Sequence, residues 1–167
     1  MKLNITPQEI INLFESPQLA LDLDDDKWQD ILRVLRFNDM TATLANILSV
    51  NNIALRSHFA LKHLDSSSIY AQRQAQQVRN ESYSLKKLLS NAEVNPIFLK
   101  GAAYILASDE NSHGRLMSDI DILVDKKCLH EVESILKSNG WREKRLDNYD
   151  EQYYRKWSHE LPPFRHI

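Results

Sequence analysis

The stretch Gly114-Arg115-Leu116-Met117-Ser118-Asp119-Ile120-Asp121-Ile122-Leu123-Val124-Asp125 decides how the rest of the chain is read. As a strand it alternates: Asp119, Asp121, Leu123 and Asp125 share one face, and Ile120, Ile122 and Val124 share the other. The second set is a β-branched apolar face that calls for a core. The first set opens with two carboxylates one strand repeat apart, which puts their roots roughly 6–7 Å from each other on the same side. That spacing suits a shared divalent cation, and a cation offsets the repulsion between two like charges held so close.

A half-exposed strand with ordinary solvent-facing acids would give the same letters, and for an isolated D-x-D that is the commoner explanation. Here the neighbourhood adds to the pattern. The chain has three glycines, Gly101, Gly114 and Gly140, all in its second half. Gly101 follows the apolar run Pro96-Ile97-Phe98-Leu99 and Lys100, and opens Ala102-Ala103-Tyr104-Ile105-Leu106-Ala107, a helical segment. A strand that turns into a helix at glycine exposes free backbone N–H groups at the positive helix end, where an anion is held well. The order is thus a phosphate cradle and then a carboxylate pair.

Leu99-Lys100-Gly101-Ala102-Ala103 followed by Arg115-x-x-Ser118-Asp119-Ile120-Asp121-Ile122-Leu123-Val124 resembles the nucleotidyltransferase superfamily of the DNA polymerase β type. Within it, the LKG…R…SDIDILV form is most similar to a bacterial group of uncharacterised nucleotidyltransferases. The resemblance covers roughly Ile97 to Phe164; the residues before it match no family pattern. It departs from the superfamily in having Ala102 where a second small polar residue is usual, and in a long spacing from Gly101 to Asp119. The resemblance implies an enzyme that transfers a nucleoside monophosphate from an NTP to a small-molecule or protein acceptor. It makes Asp119 and Asp121 the catalytic Mg²⁺ ligands, and Lys100, Gly101, Ala102, Arg115 and Ser118 the nucleotide-binding residues. Lys100 and Arg115 could equally pair with Asp119, Asp121 or Asp125. A third carboxylate on a later strand is usual in the superfamily, and Glu160 is the nearest approach to one before Ile167. The alternative is therefore a catalytically incomplete nucleotide-binding or protein-interaction module of the same fold, or a chain whose third acid lies beyond Ile167. His159 and His166 are read as packing or substrate contacts rather than ligands.

The totals are those of an ordinary globular protein. The chain has 167 residues, 43% of them hydrophobic and 26% charged, enough for a helical module beside a small α/β one. A net charge of −2, spread evenly along the chain, gives no electrostatic reason to expect nucleic acid or an anionic membrane. The lone Cys128 rules out an internal disulfide framework and fits a reducing cytoplasm. Neither a secretory leader nor an apolar run of spanning length is expected from the sequence.

Outward from the central stretch, the fold expected is α+β: a helical N-terminal module over residues 1–92, then a small mixed sheet with flanking helices over residues 93–167. Thr6-Pro7-Gln8-Glu9 is a helix-start signal that leads into Ile10, Leu13 and Phe14 before Ser16-Pro17 ends the helix. Asp24-Asp25-Asp26 complements the start of a second helix carrying Trp28, Ile31, Leu32 and Leu35, and Met40, Leu44, Ile47 and Leu48 mark a third. Ile53 to Leu89 lacks Pro and Gly and reads as a long helix, with a break expected at Asp65-Ser66-Ser67-Ser68. Its polar middle, Arg73-Gln74-Ala75-Gln76-Gln77, is expected to face solvent or a partner, which would make a homodimer through these helices. Lys126 to Ser138 reads as a helix stopped by Gly140, Trp141 to Leu146 as a strand, and Tyr153 to Leu161 as its hairpin partner.

Overall fold

The computed structural model describes residues 5–144, 149, 153 and 160–166. The architecture is α+β, dominated by helices, as expected. Two compact units take turns along the chain: Met1–Asn80 with Lys100–Ile120 form one, and Glu81–Leu99 with Asp121–Ile167 form the other.

The first unit begins with α1 (Pro7–Glu15), started by a full capping box. The Thr6 hydroxyl accepts from the Glu9 N–H, and the Glu9 carboxylate accepts from the Thr6 N–H at 2.8 Å, so two of the helix-end donors are satisfied reciprocally. The acidic triplet starts α2 (Asp25–Phe37) in a similar way. The Asp24 carboxylate caps the Lys27 N–H at 2.9 Å, and Asp25 and Asp26 lie in the first turn. Trp28, Ile31, Leu32 and Leu35, one helical stripe, are all buried and meet Leu44 and Leu48 of α3 (Thr41–Val50) in a core shared with Leu13, Leu55, Ala60 and Leu64. Burying such side chains contributes roughly 1.5–3 kcal/mol each, which makes this stripe the main source of the unit's stability.

The long helix α4 (His58–Ser90) differs from expectation at two places. It starts five residues later, because the Ser57 hydroxyl accepts from the Ala60 N–H at 2.9 Å and donates to Asp25 at 2.6 Å, a cap that Ile53 has no means to supply. It also runs unbroken through the serine cluster. The Ser66 and Ser67 hydroxyls donate back to the carbonyls of Lys62 and His63 at 2.7 and 2.9 Å, so they bind the helix backbone instead of competing with it. His58–Asn80 of this helix falls in the first unit and Glu81–Ser90 in the second.

The remaining part of the first unit is α5 (Lys100–Ala107), a 3-10 turn at Glu110–Ser112 and the irregular segment down to Ile120. Gly114 is held at φ +72°, and a Cβ there would collide with the Ala42 carbonyl; the Thr43 hydroxyl donates to the Gly114 carbonyl at 3.2 Å. Only glycine accepts both the conformation and the close approach.

In the second unit β1 (Ile97–Phe98) pairs antiparallel with β2 (Ile122–Leu123), in the register Ile97↔Leu123 and Phe98↔Ile122. The expected strand over 119–125 is thus much shorter. Its C-terminal end is stopped by Asp125, whose carboxylate accepts from the Lys127 N–H at 3.0 Å and turns the chain into a 3-10 turn at Lys126–Cys128 ahead of α6 (Leu129–Ser138). Val132 and Leu136 bury the inner face of α6. Gly140, at φ +87°, releases the chain into β3 (Trp141–Glu143). The partner of β3 is β4 (Phe164–His166), antiparallel, with Trp141 opposite His166; the Tyr153–Leu161 segment expected in this role lies largely outside the described residues. The Trp141 and His166 rings meet edge to face at 5.2 Å, and Lys137 bridges Glu133 at 2.6 Å and Glu143 at 3.1 Å. Among the described residues there are therefore two separate antiparallel pairs rather than one mixed sheet.

Among the described residues four helices end on a non-glycine residue in the left-handed region: Asp39 after α2, Asn52 after α3, Glu93 after α4 and Ser108 after α5, with φ between +54° and +59°. Each reverses the chain so that the next segment can return toward its unit, at a conformational cost of roughly 1 kcal/mol. Among the described residues no helix is long and apolar enough to cross a membrane.

Candidate functional site

The residues singled out by the sequence lie on α5, on the segment before β2, and at the head of β2. Lys100 is exposed and carries φ +48°, the sharp turn by which the chain passes from β1 into α5. Non-glycine residues in the left-handed region are uncommon, and such outliers gather where a backbone is held for a purpose. Gly101 and Ala102, the next two residues, are buried.

Gly101 has an immediate steric role. The position that a Cβ would take is filled by the thioether of Met117, so the absence of a side chain lets the motif segment lie directly on the first turn of α5. Arg115, two residues earlier, extends its guanidinium over the Tyr104 ring, 5.6 Å from the centroid. Glycine, methionine, arginine and tyrosine thus tie residues 115–117 to α5 within the first unit.

The backbone of Met117 is fixed from α4 as well. The Gln74 side chain donates from Nε2 to the Met117 carbonyl at 2.9 Å and accepts from the Met117 N–H at 2.8 Å. A primary amide carries a donor and an acceptor side by side, as an extended peptide edge does, so one glutamine replaces a neighbouring strand. Nothing in the local pattern of Arg73-Gln74-Ala75-Gln76-Gln77 marks Gln74 for this role; a half-buried polar residue within a polar run becomes visible only once the 43-residue separation is closed.

Beyond Met117 the motif opens outward. Ser118 and Asp119 are exposed, and the Ser118 hydroxyl donates to the Asp119 carboxylate at 3.2 Å. In the second unit, Asp121 is half-buried and its carbonyl accepts from the Leu99 N–H at 2.9 Å, one step beyond the β1–β2 ladder. Asp119, Leu123 and Asp125 are exposed, whereas Ile120, Asp121, Ile122 and Val124 are half-buried. Glu160 is exposed and sits in an irregular segment, His166 packs on Trp141, and His159 lies outside the described residues.

Among the described residues no group of three or more His, Cys, Asp or Glu side chains is arranged to hold a metal ion. Asp119, in the first unit, and Asp121, in the second, carry carboxylates, hard oxygen groups of the kind that Mg²⁺ favours.

No match to the chain was found among curated proteins or among solved structures. The uncharacterised nucleotidyltransferase family matches residues 24–162, a span that takes in α2 to α6 and the whole of the Lys100–Asp125 region. The chain belongs to the uncharacterised nucleotidyltransferase family.

Proposed function

We propose that the chain transfers a nucleoside monophosphate from an NTP to a small-molecule or protein acceptor, with Asp119 and Asp121 as ligands for Mg²⁺. The observation that carries this reading is the family match over residues 24–162, which includes the Ser118-Asp119-Ile120-Asp121 stretch and the Lys100-Gly101 turn. Bound Mg²⁺ would neutralise charge on the transferred phosphoryl group and on the departing pyrophosphate.

The chain's own residues have separable roles. Asp119 and Asp121 present the oxygen donors. The α5 amides from Gly101 and Ala102 onward supply the positive helix end for triphosphate oxygens. Lys100 and Arg115 add charge, and Arg115 does so while stacked on Tyr104, which limits the side-chain freedom it must give up on binding. Ser118 donates a hydroxyl hydrogen bond to a phosphate oxygen or to Asp119. Gln74 and Met117 hold the segment on which these groups ride.

Incubating the protein with Mg²⁺ and each α-labelled NTP tests this directly. Label retained on the protein or on a co-purified acceptor, with pyrophosphate released, is expected for the wild type. Loss to background in both Asp119→Asn and Asp121→Asn is expected if these carboxylates carry the reaction. Unchanged turnover in either variant would remove that residue from the site.

A second reading is favoured by one feature: among the described residues no third acid joins the pair. A module that binds Mg²⁺·NTP without turnover would show nucleotide binding lost in the same two variants, and no pyrophosphate from any acceptor.

A further inference from the structure

A cavity of about 260 Å³ opens in the first unit, between the end of α2, the start of α3 and one face of α4. Its α4 wall is His63, Ser66, Ser67 and Tyr70, the i, i+3, i+4, i+7 stripe that on a packed helix is ordinarily apolar. Here the stripe is polar and narrow at its middle. The two serines keep their hydroxyls folded back on the helix, so no side chain reaches across to fill the space.

Among the described residues, three side chains of the remaining wall have no hydrogen-bond or ion-pair partner. Thr41 is 4% exposed, yet its hydroxyl has no hydrogen-bond partner; a buried hydroxyl left in that state costs stability unless something in the cavity meets it. Arg36 and Asp39 both line the cavity and are exposed. Among the described residues neither is ion-paired, and although only a turn separates them, they do not pair with each other. An arginine offers a flat fork for a carboxylate, and an aspartate offers acceptors for an ammonium. Asp39 sits in the left-handed conformation at φ +56°.

We propose that this cavity binds a small zwitterion of the α-amino-acid type, its carboxylate on Arg36, its amine on Asp39, and a polar atom within reach of the Thr41 hydroxyl. The volume suits a molecule of that size and is small for a nucleotide. Leu116 forms part of the wall, two residues before Ser118, so an occupant would lean on the same segment that carries Asp119. A role for the occupant as nucleotidyl acceptor would rest on the function proposed above; the binding itself does not.

The test is calorimetric titration and thermal melting of the full chain, without Mg²⁺ or NTP, against the free L-α-amino acids, with acetate and methylamine as half-ligands. At least one amino acid is expected to bind and raise the melting temperature, while neither half-ligand does so alone. Arg36→Leu and Asp39→Asn, both at exposed positions, should each weaken binding ~10-fold or more. Thr41→Val should weaken binding while raising the melting temperature of the unliganded protein, a pair of effects that simple damage to the fold cannot produce. The proposal is overturned if no amino acid binds, or if binding is indifferent to Arg36→Leu and Asp39→Asn. It is equally overturned if acetate alone gives the full shift and Asp39→Asn has no effect, which would make the cavity an anion site. Because no nucleotide is present, failure of the nucleotidyl-transfer reading leaves this result unaffected.

Discussion

Gln74 pairs with the backbone of Met117 on both sides of one peptide edge, donating at 2.9 Å and accepting at 2.8 Å. The contact joins the middle of a 33-residue helix to the residue before Ser118-Asp119. Replacing Gln74 by Leu keeps the bulk but leaves both Met117 groups without partners in a half-buried setting. A loss of about 2 kcal/mol is expected, two hydrogen bonds at roughly 1 kcal/mol each, read as a lower urea midpoint. Gln74→Glu should fall between, since a carboxylate still accepts from the Met117 N–H but no longer donates to its carbonyl.

The contact of Met117 with Gly101 gives a sign reversal. Gly101→Ala alone forces the thioether aside and should destabilise by about 1–3 kcal/mol. In a Met117→Ala background the space is open, φ at Gly101 is not in the left-handed region, and alanine is the better helix former. There the same Gly101→Ala change should stabilise, by up to about 1 kcal/mol. Equal effects in the two backgrounds, by chemical denaturation, would show that Met117 does not occupy this space.

Gly114 and Gly140 both carry positive φ, but their surroundings differ. At Gly114 a Cβ meets the Ala42 backbone, whereas at Gly140 the nearest atom is the His166 imidazole at 3.5 Å. Gly114→Ala should therefore cost about 3 kcal/mol, conformation and overlap together, and Gly140→Ala about 1 kcal/mol, from conformation alone. Thermal melts of the two variants side by side decide it.

The capping box on α1 predicts a pH dependence. The Glu9 carboxyl is pulled from its ordinary 4.5 down to about 2, first by the hydrogen bond from the Lys27 ammonium at 2.9 Å, then by the Thr6 N–H and hydroxyl. A carboxyl depressed on folding contributes stability that is present above its unfolded value and lost as pH falls through its folded value. The stability difference between wild type and Glu9→Gln should thus be constant above about pH 4.5 and shrink between there and pH 2. Lys27, raised by the same pair, keeps its contribution until pH climbs past its folded value. Both groups remain open to solvent, so added salt should reduce the difference at any pH.

How far these features can be read from the letters depends on how local their causes are. Thr6 to Glu9, Asp24 to Lys27, and the Trp28-Ile31-Leu32-Leu35 stripe are settled within one or two helical turns, and each forms as its spacing indicates. Ser66 and Ser67 misled because the same hydroxyl that breaks a helix can bond four residues back within it. The 119–125 strand is cut short at its C-terminal end because Asp125 starts a turn. The partner of Trp141 is Phe164–His166, beyond the Tyr153–Leu161 segment expected in that role. The D-x-D letters are plain in the sequence; the Gln74 and Gly101 contacts that hold Met117 are not.

The non-glycine helix ends have a practical corollary. Asn52, Glu93 and Ser108 each sit in a backbone shape that glycine adopts freely, and none of them carries a group assigned to chemistry above. Exchanging them for glycine would relax three separate springs at once, giving a hardier scaffold on which damaging changes at Asp119, Asp121 or Gln74 could be studied without collapse.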